Sequence, residues 1–136
     1  MNNKLMHQWP LRVYYEDTDA GGVVYHSQYL NFMERARTEW VRQLGFTQTD
    51  LRENLDVIFV VHSMQIQFKK PARLDDMLVV NTQVLALGYG SFTCLQTILK
   101  DTQILIEAQV KIACVNAATF KPQGIPAPLK LSMEFV

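Results

Sequence analysis

The stretch YEDTDAGGVVYHSQY, residues 15–29, sets three acids (Glu16, Asp17, Asp19) and two glycines (Gly21, Gly22) between a strand-like run and a helix-like run. Upstream, residues 10–16 (PLRVYYE) are rich in strand formers. From Ser27 the period changes. Tyr29, Met33, Ala36, Trp40 and Leu44 recur at spacings of three and four, and Leu30, Phe32 and Val41 widen the stripe. Ser27 is placed as the N-cap and Gly45 as the stop, which predicts one helix of about five turns. The acids and glycines therefore fall where a helix begins, and a helix N-terminus favours an anion. Such an acid is either a turn or capping carboxylate, or a catalyst beside a site for another oxygen.

The rest of the chain reads as strands. In VIFVVHSMQIQF, Ile58, Val60, Met64, Ile66 and Phe68 alternate. The loop KKPARLDD follows, and Pro71 suits a break there. LVVNTQVLAL and SFTCLQTILK flank the turn GYG as a predicted hairpin, and KDTQ turns into ILIEAQVKIACVN. In that last strand Ile104, Ile106, Ala108, Val110 and Ile112 are expected on one face, with Leu105, Glu107, Gln109 and Lys111 on the other. The proline-rich end, KPQGIPAPLKLSMEF, is expected to wrap the surface before a short final segment. One strand, one long helix and about four long strands make an α+β domain over residues 1–136. An antiparallel sheet wrapped around the helix would cover it and leave an edge strand that invites a second chain.

Composition narrows the function classes. At 136 residues the chain has the size of one domain with a sizeable core. Lys plus Arg equals Asp plus Glu at 13 each, which argues against nucleic-acid binding. Cys94 and Cys114 lie in apolar runs without metal-ligand spacing and read as reduced core thiols, so no metal and no cofactor is expected. The segment MNNKLMHQWP lacks an apolar secretory core, and no uncharged apolar run has membrane-spanning length. The expectation is a cytoplasmic protein. A calcium loop on D-x-D-x-G-G fails, because Gln28 stands at its twelfth position.

The block DTDAGGVVYHSQYLNFMERARTEW, followed by PARLDD, resembles the 4-hydroxybenzoyl-CoA thioesterase family of hotdog-fold proteins. Within it the fit is best to the Tol–Pal-associated acyl-CoA thioesterases of Gram-negative bacteria. The resemblance implies a long helix wrapped by a five-stranded antiparallel sheet, assembled as a homodimer or homotetramer. It implies hydrolysis of short-chain or aromatic acyl-CoA, or of acyl-carrier protein thioesters, contacts with phospholipid-synthesis enzymes, and a place in the cytoplasm or at the inner membrane. It puts the catalytic carboxylate on the second aspartate of D-x-D-x-x-G, here Asp19. It puts a carbonyl-polarising backbone N–H at the helix start, here at His26.

The chemistry suits both positions. Thioester hydrolysis builds negative charge on the carbonyl oxygen, which fixed N–H donors stabilise. A carboxylate attacks the carbon itself or takes a proton from water. Gly21 and Gly22 allow a tight turn and close approach of backbone to substrate, so Gly22 is expected to border it; Tyr25 is expected either at that border or, with Tyr29 and Trp40, in packing. The His26 side chain donates to substrate, orients Asp19, or is merely solvated. Asp17 reads as a turn or hydrogen-bonding residue. Lys69, Lys70 and Arg73 either meet the phosphates of CoA or form a solvated loop. Some relatives carry basic residues at the hairpin turn, where LGYGSF has none, and Ser91 beside it is expected to border the site. Two rivals remain. An acyl-carrier dehydratase uses the same fold for elimination, and a non-catalytic partner of lipid-synthesis proteins would bind thioesters without releasing thiol.

Overall fold

The computed structural model describes residues 6–134. Five strands form one antiparallel sheet: β1 (Met6–Arg12), β2 (Val57–Phe68), β3 (Met77–Leu87), β4 (Ser91–Lys100) and β5 (Gln103–Asn116). Their order across the sheet is β1-β3-β4-β5-β2, so β1 and β2 are its edges. The long helix α1 (Gln28–Gln43) packs against the sheet, followed by α2 (Gln48–Leu55); α3 (Ala127–Glu134) follows β5. No helix among the described residues is long and apolar enough to cross a membrane.

The helix forms where the periodicity places it. Tyr29, Phe32, Met33, Ala36, Trp40 and Val41 are buried, whereas Leu30, expected on the apolar stripe, is exposed. Gly45 ends the helix at φ +101°, a conformation costly for a residue with a Cβ. Ser27 precedes the helix but makes no side-chain cap; the Gln28 N–H instead donates to Tyr25 O at 2.8 Å.

Three local expectations need correction. The first strand ends at Arg12 rather than at Glu16, because Tyr15–Asp17 forms a 3₁₀ turn. The Asp17 carboxylate accepts the Tyr14 N–H at 2.8 Å, so a local bond displaces the ladder. Pro10 fits β1 because β1 is an edge and needs no further donor. Helix α2 went unread: only Leu51 is buried in it, so it has no apolar period, and its start depends on the Thr47 hydroxyl accepting from the Asp50 N–H. The final segment proves to be α3, held by Leu129 and Met133 four residues apart.

Two bulges account for the other differences. His62 is the extra residue in β2, between Val61 opposite Ile112 and Ser63 opposite Lys111. The bulge shifts the alternation, so Phe59 and Val61, not Ile58 and Val60, share the α1 side with Met64, Ile66 and Phe68. In β5 the extra residue is Leu105, between partners Leu99–Ile104 and Ile98–Ile106. Leu105 is buried there and Ile104 is exposed.

Candidate active site

Asp19 stands on a tight loop closed by pairing of Thr18 with Val24. Its N–H donates to Val23 O at 2.9 Å, and its carbonyl accepts the Gly22 N–H at 3.0 Å. Gly22 sits at φ +80°, which favours glycine. The Gly21 N–H donates to Asp19 Oδ1 at 2.8 Å, and a Cβ on Gly21 would lie 3.3 Å from that oxygen. One carboxylate oxygen is therefore oriented by the loop. Oδ2 has no protein partner among the described residues, and the side chain is exposed.

The loop runs directly into α1. The Tyr25 N–H donates to Asp17 O at 3.0 Å, and the buried Asp17 carboxylate accepts from Tyr14 N–H and from Gln28 Nε2, each at 2.8 Å. Asp17 is the hydrogen-bonding residue expected of it, and it joins strand end, loop and helix. Among the described residues, no oxygen accepts from the His26 or Ser27 N–H. The first turn of α1 contains no acidic residue. The start of α1 thus keeps two N–H groups without an acceptor among the described residues, and His26 follows the exposed Asp19 by seven residues.

The segment PARLDD braces this loop from the other side. Val24 N–H donates to Ala72 O at 2.8 Å, Val23 pairs with Arg73, and Leu74 N–H donates to Gly22 O at 3.3 Å. The buried Tyr29 hydroxyl accepts the Ala72 N–H at 2.9 Å, a bond that the periodicity of α1 could not announce. Burial pushes the Tyr29 phenol up, Asp76 adds to it, and the Ala72 N–H opposes it. Asp76 accepts from the Arg73 N–H at 2.8 Å and pairs with Lys100 at 3.0 Å. Burial pushes its carboxyl up, but the Arg73 N–H and Lys100 outweigh that and hold it below the usual carboxylate range.

A cleft of about 250 Å³ opens beside the helix start, lined by Val24, His26, Tyr29, Phe68, Lys69 and Lys70 among others. The His26 ring is exposed and lies between Tyr25, at 4.6 Å, and the edge-on ring of Phe68, at 6.4 Å. The Leu105 bulge carbonyl accepts both the Lys69 and the Lys70 N–H, which fixes the basic segment at this mouth. Lys69 Nζ also pairs with Glu107 at 2.9 Å; Lys70 and Arg73 make no ion pair among the described residues.

Asp19, Gly22, Tyr25, His26, Lys69, Lys70 and Arg73 thus gather at one end of the sheet. Ser91 does not. It pairs with Ala113 on β5, whereas the cleft residue Phe68 pairs with Ile106, seven residues away or about 23 Å along the strand. Cys94 and Cys114 are buried, and burial pushes their thiols up to about 12 and about 11. Among the described residues no cluster of His, Cys, Asp and Glu gathers as a metal site.

Residues 21–107 match the family model described as the thioesterase superfamily, which spans more than half of the chain. The chain belongs to the thioesterase superfamily. Its five-stranded antiparallel sheet and long helix are the hotdog fold that the sequence led one to expect. Superfamily relatives include the acyl-CoA thioesterase YbgC of Haemophilus influenzae, 47% identical over 126 residues and 93% of either chain. The acyl-CoA thioester hydrolase YbgC of Escherichia coli O157:H7 is 45% identical over 125 residues, 91% of this chain and 92% of its own. The crystal structure of a protein described as "Probable Thioesterase" from Bartonella henselae superposes with a TM-score of 0.86 at 40% identity, covering 89% of this chain and 99% of that one.

Within this superfamily member a second polar feature lies away from the helix mouth. A cavity of about 130 Å³ runs between α1 and the β2 side of the sheet, with Trp40, Phe59 and Phe92 in its apolar wall and Glu34, Thr38 and Gln48 also lining it. Arg37 also lines it, and its Nη1 donates at 2.9 Å to Oε1 of the fully buried Gln96. Gln96 reads from the sequence as an ordinary polar residue in a strand. Only the register, which turns it toward α1, shows otherwise.

Proposed function

We propose that this protein is an acyl-CoA thioesterase that splits the thioester into free acid and thiol, with Asp19 as the attacking or base-acting carboxylate. The observation that carries the reading is the pairing of an exposed, loop-oriented carboxylate with a helix start whose His26 and Ser27 N–H groups have no acceptor among the described residues. The thioester carbonyl oxygen is placed at the His26 N–H, where the helix dipole stabilises the charge that develops on it. Asp19 Oδ2 then follows one of two routes. It adds to the carbonyl carbon, the C–S bond breaks, and water hydrolyses the resulting anhydride; or it takes a proton from a water that adds instead. The His26 ring, set between Tyr25 and the edge-on ring of Phe68, shapes the entrance.

The acyl group extends from His26 along α1 toward the cavity walled by Trp40, Phe59 and Phe92. The pantetheine arm leaves through the cleft, and the phosphates of CoA, or of carrier-bound phosphopantetheine, meet Lys70 and Arg73 with Lys69 in support. Two copies joined edge to edge through β2, antiparallel about a two-fold axis, would bring the Ser91 end of one chain to the His26 end of the other.

Thiol release by wild type and Asp19→Asn tests the assignment. The variant keeps the side-chain size and removes the charge. Its kcat is expected to fall by at least about 100-fold, with KM little changed. A folded Asp19→Asn protein that hydrolyses acyl-CoA at the wild-type rate would return Asp19 to a turn residue. Hydration of crotonyl-thioester without thiol release would instead favour the dehydratase reading, and binding with no turnover the non-catalytic one.

A further inference from the structure

We infer that Arg37 is a specificity-determining residue: its guanidinium, held by Gln96 in the wall of the cavity along α1, selects acyl groups that carry a hydrogen-bond-accepting oxygen at their far end. This rests on the reading that the acyl group runs from His26 along α1.

Arg37 has more donors than partners. A guanidinium has five N–H donors. Arg37 is half-buried, and burial pushes its pKa down, which marks a charge in an unfavourable place. Buried charges are normally paired. Yet among the described residues Arg37 has no salt-bridge partner, and its one side-chain hydrogen bond goes to Gln96 Oε1. Glu34, three residues earlier on the same helix, lines the same cavity and its charge favours the guanidinium, but it makes no salt bridge to Arg37, and its Oε2 accepts from the Thr38 hydroxyl at 2.8 Å. Most of the donor capacity of Arg37 is unmet among the described residues, in a cavity whose other polar lining is Glu34, Thr38 and Gln48.

Gln96 makes this arrangement rigid. Its Nε2 donates to Met33 O and to Thr82 Oγ1, each at 3.0 Å. The amide can then offer only its oxygen to Arg37, so the guanidinium is aimed as well as tethered. Tying α1 to the sheet accounts for Gln96 and for one donor of Arg37. It does not account for a cation at the cavity wall, where a neutral side chain would avoid the desolvation cost.

The spacing sets which oxygen can reach it. His26 and Arg37 are eleven residues apart, about 16 Å along a helix axis. Arginine leans toward the helix N-terminus, which shortens the gap. An oxygen near the reacting carbonyl is too close to meet it, whereas one at the end of a medium-length chain or on the far side of a ring is within range.

Thiol release from matched substrate pairs tests this: octanoyl-CoA against 8-hydroxyoctanoyl-CoA and against the monothioester of octanedioic acid, and benzoyl-CoA against 4-hydroxybenzoyl-CoA. Wild type is expected to favour the oxygenated member of at least one pair by about tenfold or more in kcat/KM. The hydroxyl and carboxylate arms show which oxygen is read. In Arg37→Met the ratio should fall to near one with the plain substrate still hydrolysed. Arg37→Lys, which keeps the charge and loses the planar fork, should fall between, and it carries the test if Arg37→Met does not fold. Equal ratios in wild type and either folded variant would overturn the inference. So would an absence of preference in wild type, or an equal loss on both members of a pair. A wild-type protein that releases no thiol from any of these substrates would overturn the catalytic reading itself, and this inference with it.

Discussion

Gln28 Nε2 donates to Asp17 Oδ1 at 2.8 Å, and this bond ties the first residue of α1 to the acidic loop. The other carboxylate oxygen takes the Tyr14 N–H, and the Asp17 carbonyl takes the Tyr25 N–H. One buried acid therefore sets how the Asp19 loop sits against the helix that carries the His26 N–H.

Asp17→Leu should destabilise the protein, because it strands the Tyr14 N–H and the Gln28 amide at about 1–3 kcal/mol per group. Asp17→Asn should cost less. Its oxygen can keep one donor, and Gln28 can turn its amide to accept from the new Nδ2. Asp17→Asn should also retain far more thioesterase activity than Asp19→Asn. Urea denaturation and thiol release measure the two effects. A Leu variant as stable as wild type would remove the clamp from the account.

The cationic residues at the cleft mouth should not contribute equally. Lys69 is already paired with Glu107, whereas Lys70 and Arg73 have no ion-pair partner among the described residues. Lys70→Ala with Arg73→Ala should raise KM for acyl-CoA at low salt and leave kcat nearly unchanged, the signature of lost uniform binding. Lys69→Ala alone should do less. The effect should shrink with added salt, since exposed charges are screened. Unchanged KM at low ionic strength would make the cluster a solvated loop.

Among the described residues, edge strand β2 presents 12 residues without a neighbouring strand on one side, and Val61 and Phe68 on it are 49% and 51% exposed. An edge this long and apolar is a pairing surface unless charge or proline blocks it. Sedimentation at micromolar concentration should therefore give a dimer or tetramer of the 15.7 kDa chain. Val61→Lys should shift it toward monomer. If the site draws on both chains, activity should fall in step. A wild-type monomer would remove Ser91 from any site containing His26.

Asp76 supplies a pH test. Its carboxyl lies below the ordinary value in the folded chain, so the unfolded chain binds a proton more readily. The stability from this group is present above the unfolded value of about 3.9 and is lost as pH falls through the lower folded value. Urea midpoints measured from pH 5 downward should decline less steeply on the acid side in Asp76→Asn than in wild type. Identical acid limbs would mean that the clasp with Arg73 N–H and Lys100 does not favour the charged form.

Local chemistry made a good part of this protein legible in its amino acids. The 3.6-residue period from Tyr29 to Leu44 specified α1, and Gly45 specified its end, because burial of one stripe and release of backbone strain are properties of neighbouring residues. The strands were readable for the same reason, and so was the acidic, glycine-rich turn at the helix start. Reading failed where a distant partner decides. The bulges at His62 and Leu105 change which side chains face α1, and they exist only as register between strands. The sequence alone left Asp17 as a hydrogen-bonding residue of unknown partners; folding supplied Tyr14 and Gln28. It showed nothing unusual in Gln96, because the Arg37–Gln96 contact joins residues 59 positions apart. The clustering of Lys69, Lys70 and Arg73 with His26, and the separation of Ser91 from them, likewise follow from how the strands lie side by side, a long-range matter that residue spacing does not encode.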